Sequence, residues 1–151
     1  MKKFMDKDFL LDTDTAKKLF HDYAENMPIC DYHCHLSPKE IYENEQPSDI
    51  SQLWLSGDHY KWRAMRSCGV DEKYCTGDAS PKEKFVKFGE TLQYCIGNPL
   101  YHWAHIELQR YFGINTPLNK KTAAEIYDRA NDVIKNGDFR PQTLITDRTR
   151  H

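Results

Sequence analysis

Two histidines one residue apart are the residues of this sequence whose type and spacing most clearly suggest chemistry. His33 and His35 lie in the short apolar segment Pro28–Leu36, which predicts a β-strand. Side chains of a strand alternate between its two faces, so both imidazoles are expected on one side. Imidazole is a common zinc ligand, and a catalytic zinc usually takes three protein ligands. The pair could supply two of them, but histidines at this spacing also occur as solvent-facing or hydrogen-bonded residues.

Helices are expected on both sides of this strand. An amphipathic helix precedes it, with Thr13 or Asp14 as its cap. The sequence Ser-Pro-Lys-Glu, a capping box with proline at the first helical position, begins at Ser37 and again at Ser80. Asp58 is positioned to cap a further helix. The chain after the strand is therefore predicted to be mainly helical.

Further start and stop signals extend this helical region. Asn98-Pro99 predicts a helix that ends at Gly113, and another is expected from Thr122 to about Lys135. Residues 37–136 thus form a predicted helical region, followed by one short helix from Pro141. A lone strand cannot satisfy its own backbone hydrogen bonds. The missing partners predict that these 151 residues are part of a longer protein.

Composition excludes several classes of function. The 21 basic and 23 acidic side chains nearly balance, which argues against a nucleic-acid-binding surface. The N-terminal sequence MKKFMDKDFLL lacks an apolar core long enough for export or for a membrane span. Five cysteines without a CxxC pair are typical of reduced thiols. We therefore expect a cytoplasmic protein with a small-molecule ligand, and homo-oligomers remain possible.

Three segments together resemble the N-terminal portion of the uronate isomerase family of the amidohydrolase superfamily. They are CDYHCHLSPKEIYEN, SDISQLWLSGDHYKWRAMRSCGV and GNPLYHWAHIELQRYFGI. The resemblance implies an α/β fold, a metal-dependent (β/α)₈ barrel of which this chain holds only a mainly α part. Residues 1–36 would carry the N-terminal helix and first barrel strand, residues 37–136 a helical insertion, and residues 137–151 the start of the return to the barrel.

The resemblance also implies a reaction and a set of site residues. The reaction is the interconversion of D-glucuronate with D-fructuronate and of D-galacturonate with D-tagaturonate. His33 and His35 would bind a divalent metal, most plausibly zinc. His59 and Tyr60 would contact the substrate hydroxyls and take part in catalysis, and Arg63 would bind the carboxylate. The base is expected to be an aspartate outside these 151 residues, so this chain alone is predicted to be inactive.

Other residues have structural interpretations that compete with functional ones. His102 and His105 share one helical face, but their aromatic surroundings favour packing and hydrogen bonding over metal binding. Cys30 and Cys34 are expected to be buried small hydrophobic residues. Two alternatives to the isomerase stay open at this point, a metal-dependent hydrolase of the same superfamily and a non-catalytic helical interaction module.

Overall fold

A computed structural model describes residues 4–30, 32 and 36–146 of the chain. The chain divides into two compact units, residues 1–37 and residues 38–151. Every regular element in the described ranges is helical. None of these helices has the length and apolar character that crossing a membrane requires.

The first unit contains the predicted N-terminal helix. Helix α1 spans Asp14–Leu19, and the Thr13 hydroxyl accepts a hydrogen bond from the Ala16 backbone N–H at 3.0 Å. Thr13 is therefore the cap. The helix continues as a π-helical turn over Phe20–Ala24, which the apolar periodicity did not reveal because it specifies a face and not a hydrogen-bond register.

The strand predicted for residues 28–36 is not formed in the described part of that segment. Residues 28–30 and 32 have no regular structure, and residue 36 lies in a bend. The rest of the segment, including His33, Cys34 and His35, lies outside the described residues. A single strand without a neighbour leaves its backbone groups unpaired, so extended pairing is not expected there. The prediction that Cys30 is buried is wrong, since this residue is exposed, and Cys34 lies outside the described residues.

The second unit is an assembly of short and medium helices. They are α2 (Pro38–Glu43), α3 (Ile50–Leu55), α4 (His59–Ser67), α5 (Glu72–Cys75), α6 (Pro81–Leu92), α7 (Pro99–Phe112), α8 (Ala123–Asn136) and α9 (Pro141–Thr146). This agrees with the predicted helical character of residues 37–136 and with the short helix predicted from Pro141.

The predicted start and stop signals operate as expected at α6 and α7. The Ser80 hydroxyl and the Glu83 side chain form a reciprocal capping box. The Asn98 side chain accepts the Leu100 N–H at 2.9 Å, and Gly113 ends α7 in the left-handed conformation with φ +65°. These ends are set by local hydrogen bonds, which explains why they were predictable.

Helix α6 lies at the centre of this unit, where it packs against α3, α4, α5 and α8. Its Phe85 and Phe88 side chains are fully buried. Gly89 allows close approach to α8, because a Cβ atom added there would lie 2.8 Å from the Cβ of Ala123. The resulting core supports α4, whose Met65 is fully buried in it.

Candidate substrate site on helix α4

Helix α4 begins with the residues predicted to contact substrate. Asp58 precedes it, and its Oδ1 accepts hydrogen bonds from the backbone N–H groups of Tyr60 at 2.9 Å and of Lys61 at 3.1 Å. This carboxylate thereby satisfies two donors that a helix cannot satisfy internally. The predicted cap is confirmed, and it fixes the turn that carries His59 and Tyr60.

The structure brings together the three side chains predicted to contact substrate. The ring centroids of His59 and Tyr60 lie 4.3 Å apart. The Arg63 guanidinium lies over the Tyr60 ring, 5.4 Å from its centroid. All three residues are exposed, with Tyr60 at 48%. The cluster therefore offers an imidazole, a phenol and a guanidinium on one exposed turn.

Tyr60 and Arg63 also line a groove of about 590 Å³ in the second unit. Its walls come from α4, from the loop before α7 and from the first turns of α7, with the lining residues Tyr60, Arg63, Ala64, Ser67, Cys68, Tyr94, Cys95, Asn98, Pro99, Leu100 and Trp103. Trp103 and Tyr94 remain 56% and 75% exposed. The groove combines aromatic faces with one guanidinium, a surface suited to an organic acid.

A charge cluster lies behind the exposed side chains. Lys61 is only 9% exposed, and its Nζ lies 3.2 Å from Asp58 Oδ2 and 5.1 Å from the Trp54 ring centroid. Glu107 of α7 is half-buried and interacts electrostatically with Lys61 and Asp58. Burial raises the pKa of the Glu107 carboxyl, against the opposing effects of Lys61 and of a hydrogen bond from Trp54. Sequence reasoning missed this cluster, because its members come from three helices.

The predicted metal ligands His33 and His35 lie outside the described residues. Within residues 4–30, 32 and 36–146, no three histidine, cysteine, aspartate or glutamate side chains are grouped so that they could hold a metal ion. The two histidines therefore stay the predicted ligands, and no alternative site arises in the described ranges.

His105 has the structural role that the sequence favoured. It is 6% exposed, and its Nε2 accepts the Leu118 backbone N–H at 2.9 Å. The neutral ring must then carry its proton on Nδ1, which donates to the Tyr101 carbonyl at 2.6 Å. Burial lowers the pKa of His105. The ring thus links α7 to the segment before α8 and is not a metal ligand.

The glucuronate isomerase family model matches residues 1–150 of this chain. The chain belongs to the glucuronate isomerase family. Relatives within the family include the uronate isomerase of Caldanaerobacter subterraneus, 59% identical, and that of Lachnospira eligens, 60% identical, each over 145 residues. These alignments cover 96% of this chain and 31% of each relative. The chain thus spans about a third of the length of the isomerases that it matches.

Solved structures of the family have the same fold over this region. The uronate isomerase of Thermotoga maritima matches with a TM-score of 0.89 at 37% identity, over 97% of this chain and 32% of that one. The glucuronate isomerase of Caulobacter crescentus matches with a TM-score of 0.78 at 26% identity, over 95% of this chain and 32% of that one. The helical arrangement described above is therefore an arrangement found in the glucuronate isomerase family.

Proposed function

We propose that this chain is the N-terminal part of an aldose–ketose isomerase that interconverts D-glucuronate with D-fructuronate and D-galacturonate with D-tagaturonate. The observation that carries the proposal is the family match over residues 1–150, together with a fold match over 97% of the chain. The clustering of His59, Tyr60 and Arg63 supports it, because these side chains suit a hydroxylated acid.

The complete enzyme, in this proposal, is a (β/α)₈ barrel of the amidohydrolase superfamily. Residues 28–36 would form its first strand once neighbouring strands are present. A barrel of this kind needs about 250 residues, more than the chain supplies. The exposed apolar surface of the first unit supports the proposal, since such surface is usually covered in a folded protein. Its exposed large hydrophobic residues are Phe4, Leu10, Leu19, Phe20, Tyr23, Met27, Ile29, Tyr32 and Leu36.

The chemistry assigns a distinct task to each side chain of the cluster. Isomerisation moves a proton from C2 to C1 of the sugar through an enediol whose oxygen gains negative charge. The Tyr60 hydroxyl can donate a hydrogen bond to that oxygen, and the His59 ring can exchange a proton with a neighbouring hydroxyl. Arg63 can bind the carboxylate with two parallel hydrogen bonds, for which its planar guanidinium is well suited.

We also propose zinc as the cofactor, held by His33, His35 and a further ligand outside this chain. A bound zinc supplies Lewis-acid stabilisation of the negative oxygen. The cytoplasm is the proposed location. The described cysteines Cys30, Cys68, Cys75 and Cys95 are free thiols, as is common in a reducing compartment.

A chimera tests the proposal. The 145 residues that align with the Caldanaerobacter enzyme replace its own segment, and the purified chimera is assayed with glucuronate and galacturonate. Tyr60→Phe should lower kcat by about 10²- to 10³-fold, because it removes a hydrogen-bond donor to the negative oxygen. Arg63→Ala should chiefly raise KM, because it removes binding of the unreacting carboxylate.

Matched variants on the surface control for nonspecific effects. Tyr42→Phe removes a hydroxyl from a residue that is 86% exposed on α2, and Arg129→Ala removes a guanidinium that pairs with Glu125 on α8. Both should leave the kinetics of the chimera unchanged. A folded, zinc-loaded chimera without activity on either uronate would contradict the proposed function.

A further inference from the structure

Lys61 is a buried cation that directly follows the proposed substrate residue Tyr60. Only 9% of the residue is exposed, whereas most lysines lie at the surface. A buried ammonium group is costly unless charged or polar neighbours compensate for its lost hydration. A lysine in this place therefore requires specific partners, and the structure supplies them from α3 and from the cap of α4.

The first partner is Asp58, whose two carboxylate oxygens make different contacts. Oδ1 accepts the backbone N–H groups of Tyr60 and Lys61. Oδ2 lies 3.2 Å from the Lys61 Nζ. The side chain of Lys61 thus holds the cap residue in the orientation in which it can accept both backbone hydrogen bonds.

The other partners fix the lysine itself. Its Nζ lies 5.1 Å from the centroid of the Trp54 ring on α3, a cation–π distance. The Glu107 carboxyl of α7 also interacts electrostatically with Lys61 and with Asp58. Lys61 is therefore in direct contact with α3, whose Trp54 belongs to the packed core of the second unit.

We propose that Lys61 is a positioning residue, which anchors the Asp58 cap to α3 and thereby fixes the rings of His59 and Tyr60. This inference rests on the function proposed above. Lys61 itself does not contact the substrate in the proposed arrangement. It sets the geometry of the two residues before it, and a small displacement of such groups is expected to lower the rate of catalysis.

Amide hydrogen exchange in the 151-residue chain tests whether Lys61 anchors the Asp58 cap. The amides of Tyr60 and of position 61 lie in the first turn, where the helix supplies no acceptor, so their protection reports on the Asp58 cap. Lys61→Met retains the length and apolar stem but removes the charge. Protection of both amides should fall about fivefold, the equivalent of a typical helix cap.

Lys82→Met is the matched control. Lys82 also pairs with an aspartate, Asp128 at 2.7 Å, and lies 5.7 Å from the centroid of a tyrosine ring, but it is exposed and both partners lie on α8. This variant should leave the protection of the Tyr60 amide unchanged. Equal protection in the Lys61→Met variant and the unmodified chain would overturn the inference.

A double variant separates positioning from stability. Lys61→Met alone removes the cation that interacts electrostatically with the Glu107 carboxyl, whereas Lys61→Met with Glu107→Gln removes both ionisable groups. Removing both members of a buried pair often restores stability. We expect the urea midpoint to recover in the double variant, while the Tyr60 amide stays about fivefold less protected. Joint recovery of the midpoint and of protection would show that Lys61 only balances charge.

The effect of Lys61 on catalysis is tested in the isomerase chimera described above. Lys61→Met should lower kcat at least about tenfold and change KM less, because the substrate carboxylate is bound by Arg63 and not by the displaced rings. An unchanged kcat in an active chimera would overturn the positioning role. An unmodified chimera that folds but has no activity would instead refute the proposed isomerase function, and the catalytic role of Lys61 with it.

Discussion

Replacing His105 with leucine should destabilise the second unit by an amount that the structure allows us to work out. The ring is 6% exposed and accepts the backbone N–H of Leu118, which is itself buried. Leucine fills similar space but cannot accept a hydrogen bond. The Leu118 N–H would then be buried without this acceptor.

The cost of such an unsatisfied backbone donor is about 1–3 kcal/mol. The Tyr101 carbonyl also loses a hydrogen bond, the one from Nδ1. This loss costs less, because the carbonyl lies within α7 and still accepts a backbone hydrogen bond of the helix. With a urea m-value of about 2 kcal/mol/M, the midpoint of unfolding at pH 7.5 should fall by about 0.5–1.5 M. Circular dichroism at 222 nm during urea titration measures this shift.

The stability of the His105→Leu variant should also depend less on pH than that of the unmodified chain. Burial holds the pKa of His105 below its usual value of 6.5 in the folded state. Below about pH 6.5 the unfolded chain therefore binds a proton that the folded chain does not, and the folded state loses up to about 1.4 kcal/mol of stability per pH unit. The His105→Leu variant has no imidazole at this position, so it does not lose this stability at low pH. The stability difference between the unmodified chain and the variant should narrow as the pH is lowered from 7.5 to 5.5.

His102→Leu is the matched control, on the same helix and only half-buried. The His102 ring does not accept the Leu118 N–H, so the variant should lose no more stability than an ordinary surface substitution. Its urea midpoint should therefore move by less than about 0.3 M. Equal shifts for both leucine variants, or a stability difference that stays constant between pH 7.5 and 5.5, would refute the reasoning.

Three further substitutions test separate features of the chain. Ser80→Ala removes the capping hydroxyl of α6 and should lower stability by about 1 kcal/mol and Tm by about 3 °C, measured by thermal unfolding. Gly89→Ala should destabilise by about 1–3 kcal/mol in urea, because its Cβ would lie 2.8 Å from a Cβ on α8, whereas Gly57→Ala, with nothing within 4 Å, should be tolerated. Replacing His33 and His35 with alanine in the chimera should remove zinc and activity together, and unchanged zinc by elemental analysis would contradict the metal assignment.

The sequence specified the helix ends well, because each end depends on hydrogen bonds between residues a few positions apart. Ser80 and Glu83 form the predicted capping box, and Gly113 takes the left-handed conformation that ends α7. Asp58 caps α4 as predicted. The same locality placed His59 and Tyr60 at the start of a helix, although their chemical role came from resemblance to a family.

Predictions that depended on distant partners were less successful. The segment from Pro28 to Leu36 has the apolar composition of a strand, but strand formation requires neighbours, and its described residues form none. Cys30 is exposed for the same reason, since burial is a property of the surrounding structure and not of the residue type. Alternation in a sequence predicts the faces of a strand only when a sheet exists to separate them.

The sequence by itself determined where most helices begin and end, the mainly helical character of residues 37–136, and the membership of the family. Only the tertiary structure decided that the Lys61 ammonium lies over the Trp54 ring of a neighbouring helix, and that His105 accepts a hydrogen bond from Leu118. The physical reason is that caps and periodicity act over one or two helical turns. A buried charge or an unsatisfied N–H, in contrast, finds its partner through packing between helices, which no short sequence pattern encodes.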